Sequence, residues 1–107
     1  MDSITKRAKA IILEEVQRAG CVARHILLFG SRAKGTARPD SDWDFYVIID
    51  KDLSTSERLS LSDLIRRRFV QAGFCGDVFI QSEAVVRERK DNTGFLTYYA
   101  LKEGIEI

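Results

Sequence analysis

Two aspartates one residue apart, Asp42 and Asp44, begin the apolar run DWDFYVIID, and a Gly-Ser pair, Gly30-Ser31, follows another, VARHILLFG. Strand side chains alternate, so Asp42, Asp44, Tyr46 and Ile48 share one face and Trp43, Phe45, Val47 and Ile49 the other. The second set is wholly apolar and must face a core. The carboxylates then sit together at the start of the strand, their Cα atoms roughly 7 Å apart. Two anions converging there repel one another unless a cation intervenes. Hard oxygen donors suit Mg²⁺, which takes one or two carboxylates plus phosphate oxygens of a substrate.

Gly30-Ser31 supplies the complementary chemistry. Glycine permits close backbone approach, and Ser31 is expected to cap a short helix formed by SRAKG. Free N–H groups at such a helix start attract phosphate. Lys34 and Arg38 could add positive charge nearby, although the sequence does not fix which way they point.

The elements that must position these residues follow from periodicity. Ile4, Ala8, Ile11, Ile12, Val16 and Ala19 recur at helical spacing over residues 3 to 19, and Gly20 is a stop signal. Residues 22 to 29 read as a mostly buried strand, and DWDFYVIID as the next. Ser54-Thr55-Ser56-Glu57 resembles a capping box, opening a helix to about Ala72 with Leu61, Leu64, Ile65 and Phe69 on one face. Asp77 to Gln81 reads as a third strand, Ser82 as the cap of a helix through Lys90, and 94 to 102 as another short helix. Ile105 to Ile107 is expected as a final edge strand. The order is α-β-(turn)-β-α-β-α-α, an α/β (α+β) mixed sheet with flanking helices, read as a single domain over residues 1–107.

Connection lengths then make a geometric forecast. If the first two strands are antiparallel neighbours, Gly30 and Asp42 lie at the same end of the sheet. The helix between Lys51 and Gly76 lets the third strand return parallel to the second by a crossover, which brings its start, Asp77, to that end too. Three carboxylates and a phosphate-binding turn would converge.

Gly30-Ser31, ten residues, then Asp42-Trp43-Asp44 resembles the signature of the DNA polymerase β-type nucleotidyltransferase superfamily. The string GSRAKGTARPDSDWDFYV is most similar to its smallest members, the minimal nucleotidyltransferases, and the flanking helices and Asp77 strand extend the likeness over most of the chain. The resemblance implies the nucleotidyltransferase fold, with Asp42 and Asp44 coordinating Mg²⁺ and Gly30 and Ser31 cradling a nucleoside triphosphate. Asp77 would be the third carboxylate, a metal ligand and general base for the acceptor hydroxyl. No motif fixes the spacing to Asp77, and the lesser alternative is simply an Asp after a glycine in a helix-to-strand turn.

The resemblance also implies transfer of AMP from ATP. Minimal members are commonly paired with a HEPN-domain RNase toxin, and some act as the antitoxin by adding AMP to a toxin tyrosine. Transferases of the superfamily that act on small molecules generally carry a further domain that grips the acceptor, for which 107 residues leave no room. The acceptor is then expected to be bound by a partner chain or a second copy, or to be a partner protein itself, and the resemblance implies a HEPN-type partner. The alternatives are a small molecule held across a homo-oligomer interface, or an antitoxin that binds its partner without turnover.

Composition excludes other classes. A net charge of +1 argues against a broad nucleic-acid or membrane surface, and direct nucleic-acid binding is not expected. There is no apolar stretch of membrane-spanning length, and MDSITKRAKAIILEE lacks a signal-type cleavage site, so a cytoplasmic location is expected. Cys21 and Cys75 suit a reducing compartment and, with a single histidine, make a zinc site improbable. His25 reads as a strand residue, Tyr46 and Trp43 as packing groups, and Tyr98 and Tyr99 as core or interface contacts. Arg66-Arg67-Arg68 reads as the solvated side of a helix, with a partner-binding patch as the alternative.

Overall fold

A computed structural model describes residues 3–107; Met1 and Asp2, which head the segment read for a signal peptide, lie outside the described residues. The chain folds as α1 (Ser3–Arg18), β1 (Ala23–Phe29), α2 (Ser31–Lys34), β2 (Trp43–Ile49), α3 (Thr55–Gln71), β3 (Gly76–Ser82), α4 (Glu83–Arg89), α5 (Leu96–Glu103) and β4 (Ile105–Glu106). Strand order is β3-β2-β1-β4, with β1 antiparallel to β2 and β4, and β2 parallel to β3. This is the expected mixed sheet with flanking helices.

The apolar face of β2 drives assembly. Phe45, Val47 and Ile49 are fully buried among Ala8, Ile12 and Val16 of α1 and Ile65 and Phe69 of α3. Each such side chain contributes about 1.5–3 kcal/mol on leaving water. The carboxylate-bearing face is covered as well, once past Asp44: Tyr46 and Ile48 pack with Leu27, Val86 of α4 and Ala100 of α5. Only the leading end of β2 is left open to carry polar chemistry.

Local signals hold the helices in register. Gly20 turns the chain after α1 in the left-handed region, at φ +79°. The Ser54 hydroxyl accepts from the Glu57 amide at 3.1 Å and the Glu57 carboxylate accepts from the Ser54 amide at 3.0 Å, completing the capping box of α3. Ser82 caps α4 through the Val85 amide. Leu64 departs from its expected place: Leu61, Ile65 and Phe69 are buried, whereas Leu64 is 42% exposed. The buried stripe advances in steps of four, so the residue before Ile65 is rotated off it into the groove shared with Ala19 and Leu53. Among the described residues no helix is long and apolar enough to cross a membrane.

Candidate active site

The ends of three strands meet at one end of the sheet. Phe29 pairs with Asp44 across β1–β2, and Asp44 pairs with Asp77 across β2–β3. Paired residues share a face, so Asp44 and Asp77 are neighbours in one row, with Gly30 just beyond Phe29. Asp42 precedes the first strand residue, Trp43, and is exposed rather than lying within the strand. The Trp43 amide donates to the Cys75 carbonyl at 3.1 Å, which fixes the start of β2 against the approach to β3. Asp42 and Asp77 border an open cleft of about 350 Å³ with Asp63, Arg66, Cys75 and Gly76.

Gly30 adopts φ 77°, ψ −157°, a region that is essentially restricted to glycine. A Cβ placed there would stand 2.7 Å from Asp44 Oδ2, so the turn's backbone and this carboxylate are in direct apposition. Gly30, and not Ser31, is the N-cap of α2; its carbonyl accepts from the Ala33 and Lys34 amides, both at 3.1 Å. Ser31 is already helical, which removes its hydroxyl from the capping position, and no side chain caps the helix start. The leading amides of the turn are therefore not consumed by a side-chain cap.

Burial pushes the Asp44 carboxyl above its ordinary range, and the charges of Asp77 and then Asp42 raise it further. A carboxylate held beside two others and partly withdrawn from water is one that a cation relieves. Among the described residues no three His, Cys, Asp or Glu side chains form a ready-made metal cluster. Asp77 is drawn instead to Arg66, Nε to Oδ1 3.3 Å. Mg²⁺ requires only one or two protein carboxylates when phosphate oxygens complete its shell, so Asp42 and Asp44 are a donor set of fitting number and hardness.

The remaining expected residues lie in different places. The Lys34 ammonium pairs with Glu103 at 3.0 Å, tying α2 to α5. The Arg38 amide donates to Ser41 Oγ at 2.9 Å within the loop that delivers Asp42. Tyr46 is buried, its hydroxyl bonded to Thr97, so it packs as expected. His25 is half-exposed on β1 and pairs with Glu106 at 2.9 Å. Tyr98 and Tyr99 meet edge-to-face at 5.1 Å, but Tyr99 is 44% exposed and lies outside the core.

The triple-arginine run is largely solvated, as expected, with Arg66 and Arg67 exposed and Arg68 partly buried, and each side chain has its own carboxylate partner. Arg66 turns to Asp77, Arg67 to Asp63, and Arg68 crosses to Glu14 and Glu15 of α1. Two further residues escaped the sequence reading. Arg32 lies over the Trp43 ring at 4.5 Å, and its Nη2 donates to the Pro39 and Ser41 carbonyls at 3.2 and 2.7 Å. It thereby clamps the loop ahead of Asp42. Phe79 stands on the row behind Asp77. The available signal for Arg32 was its place beside Ser31; for Phe79 it was the two-residue step from Asp77.

Comparison with known proteins bears on the family and the fold. No curated protein matches the chain. A crystal structure of a toxin–antitoxin with AMP-PNP is similar in fold, with TM-score 0.60 and 20% identity, covering 92% of this chain and 70% of that one. The family profile described as polymerase beta, nucleotidyltransferase matches residues 13–107, a span that includes Gly30, Ser31, Asp42, Asp44 and Asp77. The chain belongs to the polymerase beta nucleotidyltransferase family.

Proposed function

We propose that the chain transfers AMP from ATP to a hydroxyl group, with Asp42 and Asp44 holding Mg²⁺ and Asp77 serving the acceptor, and that it works as the antitoxin of a HEPN-type toxin. The observation that carries this reading is the row Gly30–Asp44–Asp77, in which a phosphate-accepting turn, a cation-seeking carboxylate and a further carboxylate follow one another along the sheet end. The similar fold seen in a toxin–antitoxin with AMP-PNP supports an adenine nucleotide and a toxin partner. The HEPN class and the acceptor tyrosine come from the resemblance to minimal nucleotidyltransferases.

The chain's own groups divide the work. The amides of the Gly30–Ser31 turn donate to the outer phosphates. Asp44, pressed against that turn, and Asp42, at the mouth of the cleft, face the α-phosphate from the strand start. Bound Mg²⁺ supplies charge neutralisation for the attacking and leaving oxygens. Asp77 accepts the proton of the acceptor hydroxyl, the acceptor oxygen bonds to the α-phosphorus, and the bond from that phosphorus to the pyrophosphate oxygen breaks. Arg66, with its Nε 3.3 Å from Asp77 Oδ1, orients that carboxylate at the start of β3.

The test is incubation with radiolabelled ATP, Mg²⁺ and the protein encoded beside this chain. The partner should gain the mass of AMP, and Asp42→Asn and Asp44→Asn should each abolish the label. Neutralisation of the partner by those variants, without label, would replace transfer with binding alone.

A further inference from the structure

Gly76 lets α3 close against the start of β3. A Cβ on it would stand 2.9 Å from the Trp43 carbonyl oxygen and 3.1 Å from the Phe69 ring, so a side chain there would have to displace its neighbours. Arg66 lies three residues before Phe69 on α3, and this closeness brings its guanidinium to Asp77, Nε to Oδ1 3.3 Å. Asp63, Arg66, Arg67 and Val70 recur at helical spacing as one exposed stripe. They form the α3 side of the cleft of about 350 Å³ that Asp42, Cys75, Gly76 and Asp77 border from the sheet.

The Arg66 side chain is not used up by this pairing. A guanidinium carries five N–H donors, and a carboxylate takes two of them as a fork. Among the described residues Asp77 is the only ion-pair or hydrogen-bond partner of Arg66. At least three donors are therefore unspent, on a side chain that is 52% exposed. Its neighbours are committed elsewhere, Arg67 to Asp63 at 2.5 Å and Arg68 to Glu14 and Glu15 at 2.7 and 2.8 Å. Among the described residues no other cation forms an ion pair with Asp42, Asp44 or Asp77.

The order of groups along the sheet end gives those donors a target. Gly30 lies at the β1 end, Asp44 in the centre, Asp77 on β3, and Arg66 reaches Asp77 from α3. With the outer phosphates at the turn and the acceptor oxygen at Asp77, the α-phosphate stands between Asp44 and Asp77. An attacking oxygen must come within about 3–3.5 Å of the phosphorus while it stays in hydrogen-bond reach of its base. A guanidinium attached to that same base is then close to the α-phosphate oxygens, on the side away from the turn. Charge on those oxygens must be accommodated as the new bond forms, and a planar fork of fixed donors suits a phosphate.

We propose that Arg66 is a further catalytic residue, which holds Asp77 through one edge of its guanidinium and an oxygen of the α-phosphate through the other. The proposal rests on the transferase reading for the placement of the nucleotide. The acceptor hydroxyl gives its proton to Asp77, its oxygen bonds to the α-phosphorus, and pyrophosphate departs with the electron pair of the broken P–O bond. Arg66 gives up no proton and forms no covalent bond. It neutralises the α-phosphate oxygens and ties the base to the phosphate under attack. The contact is present with bound nucleotide and tightens as charge builds on those oxygens.

Phosphorus NMR separates this proposal from the transferase reading. The probe is α,β-methylene ATP with Mg²⁺, which cannot release pyrophosphate. Arg66→Ala should move the resonance of the bound α-phosphorus, leave the γ-phosphorus in place and weaken the analogue by no more than about fivefold. The movement should persist when Arg66→Ala is made in the Asp77→Asn protein, because the contact is to the phosphate itself. In the transfer assay Arg66→Ala should lower kcat by about a hundredfold to a thousandfold, and Arg66→Lys should recover part of that loss. Arg67→Ala, which removes a charge from the same side of the cleft, should change neither readout. An α-phosphorus that does not respond to Arg66→Ala overturns the proposal. So does a response that vanishes in the Asp77→Asn protein, which would leave Arg66 a holder of Asp77 alone, or an equal response to Arg67→Ala, which would make the effect one of general charge. An Arg66-dependent α-phosphorus in a protein that transfers no AMP would leave the contact standing and remove the transferase reading.

Discussion

Gly30 and Asp44 approach so closely that the site leaves no room for a β-carbon on the glycine: the added atom would lie 2.7 Å from Asp44 Oδ2. The same glycine occupies a backbone region at φ 77°, ψ −157° that other residues enter only under strain. One residue therefore sets both the path of the turn and the position of the carboxylate. Gly35, at the other end of α2, is also left-handed, at φ 76°, but a β-carbon there meets nothing within 4 Å.

This contrast yields a paired prediction. Gly30→Ala should cost about 1–3 kcal/mol of stability through backbone strain and should displace Asp44, abolishing nucleotide transfer. Gly35→Ala should cost about 1–2 kcal/mol and leave transfer intact. Urea denaturation and a transfer assay on the two variants check it; equal loss of transfer in both would mean that the turn, and not its contact with Asp44, sets activity.

A second prediction concerns Asp44 in the absence of metal. Burial, Asp77 and Asp42 all raise its pKa in the folded state. A group shifted upward contributes stability below the ordinary carboxylate range and loses it as pH rises through the raised value. Asp44→Asn removes that loss. Without Mg²⁺ the variant should melt near wild type at about pH 3 and above it at about pH 7. Mg²⁺ at about ten times its Kd should stabilise wild type by about 1.4 kcal/mol and the variant by much less. A variant that melts below wild type at neutral pH without Mg²⁺ would contradict the electrostatic account.

How much of this was legible in the sequence differs by feature. The strands and long helices follow from periodicity and caps: Phe45, Val47 and Ile49 alternate, and Ser54 with Glu57 forms the capping box the residues announce. The arrival of Asp77 beside Asp44 followed from connection lengths alone, because a helix between two strands permits a parallel return. Side-chain direction was not legible. Arg66, Arg67 and Arg68 look alike in sequence, but helical rotation sends them to three different partners. The capping role fell to Gly30 because α2 starts at Ser31, one residue earlier than a serine cap would place it, after a glycine at positive φ. Phe79 reads as one more strand hydrophobic until the reach of α4 and α5 is known.

A third prediction separates packing from nucleotide contact at Tyr46. Its hydroxyl bonds to Thr97, and both residues are at most 2% exposed. Tyr46→Phe leaves the threonine hydroxyl buried without its partner, which should cost about 1–3 kcal/mol. The melting temperature should fall by roughly 4–8 °C per kcal/mol, while affinity for a fluorescent ATP analogue stays within about twofold. A larger loss of nucleotide affinity would place Tyr46 in the nucleotide site instead.

The last prediction concerns Arg32, which the structure makes the fastener of the loop carrying Asp42. Its guanidinium covers the Trp43 ring at 4.5 Å and donates to the Pro39 and Ser41 carbonyls at 3.2 and 2.7 Å. A lysine keeps the charge but cannot fork between two carbonyls while stacking on an indole. Arg32→Lys should therefore lose about 2 kcal/mol and speed amide hydrogen exchange in residues 38 to 42. The freed loop should also weaken Mg²⁺-dependent nucleotide binding, because Asp42 is no longer held at the mouth of the cleft. Lys34→Ala is the control: its half-exposed pair with Glu103 at 3.0 Å should be worth less than about 1 kcal/mol. If Lys34→Ala weakens nucleotide binding more than Arg32→Lys does, the charge at the end of α2 matters more than the clamp on the loop.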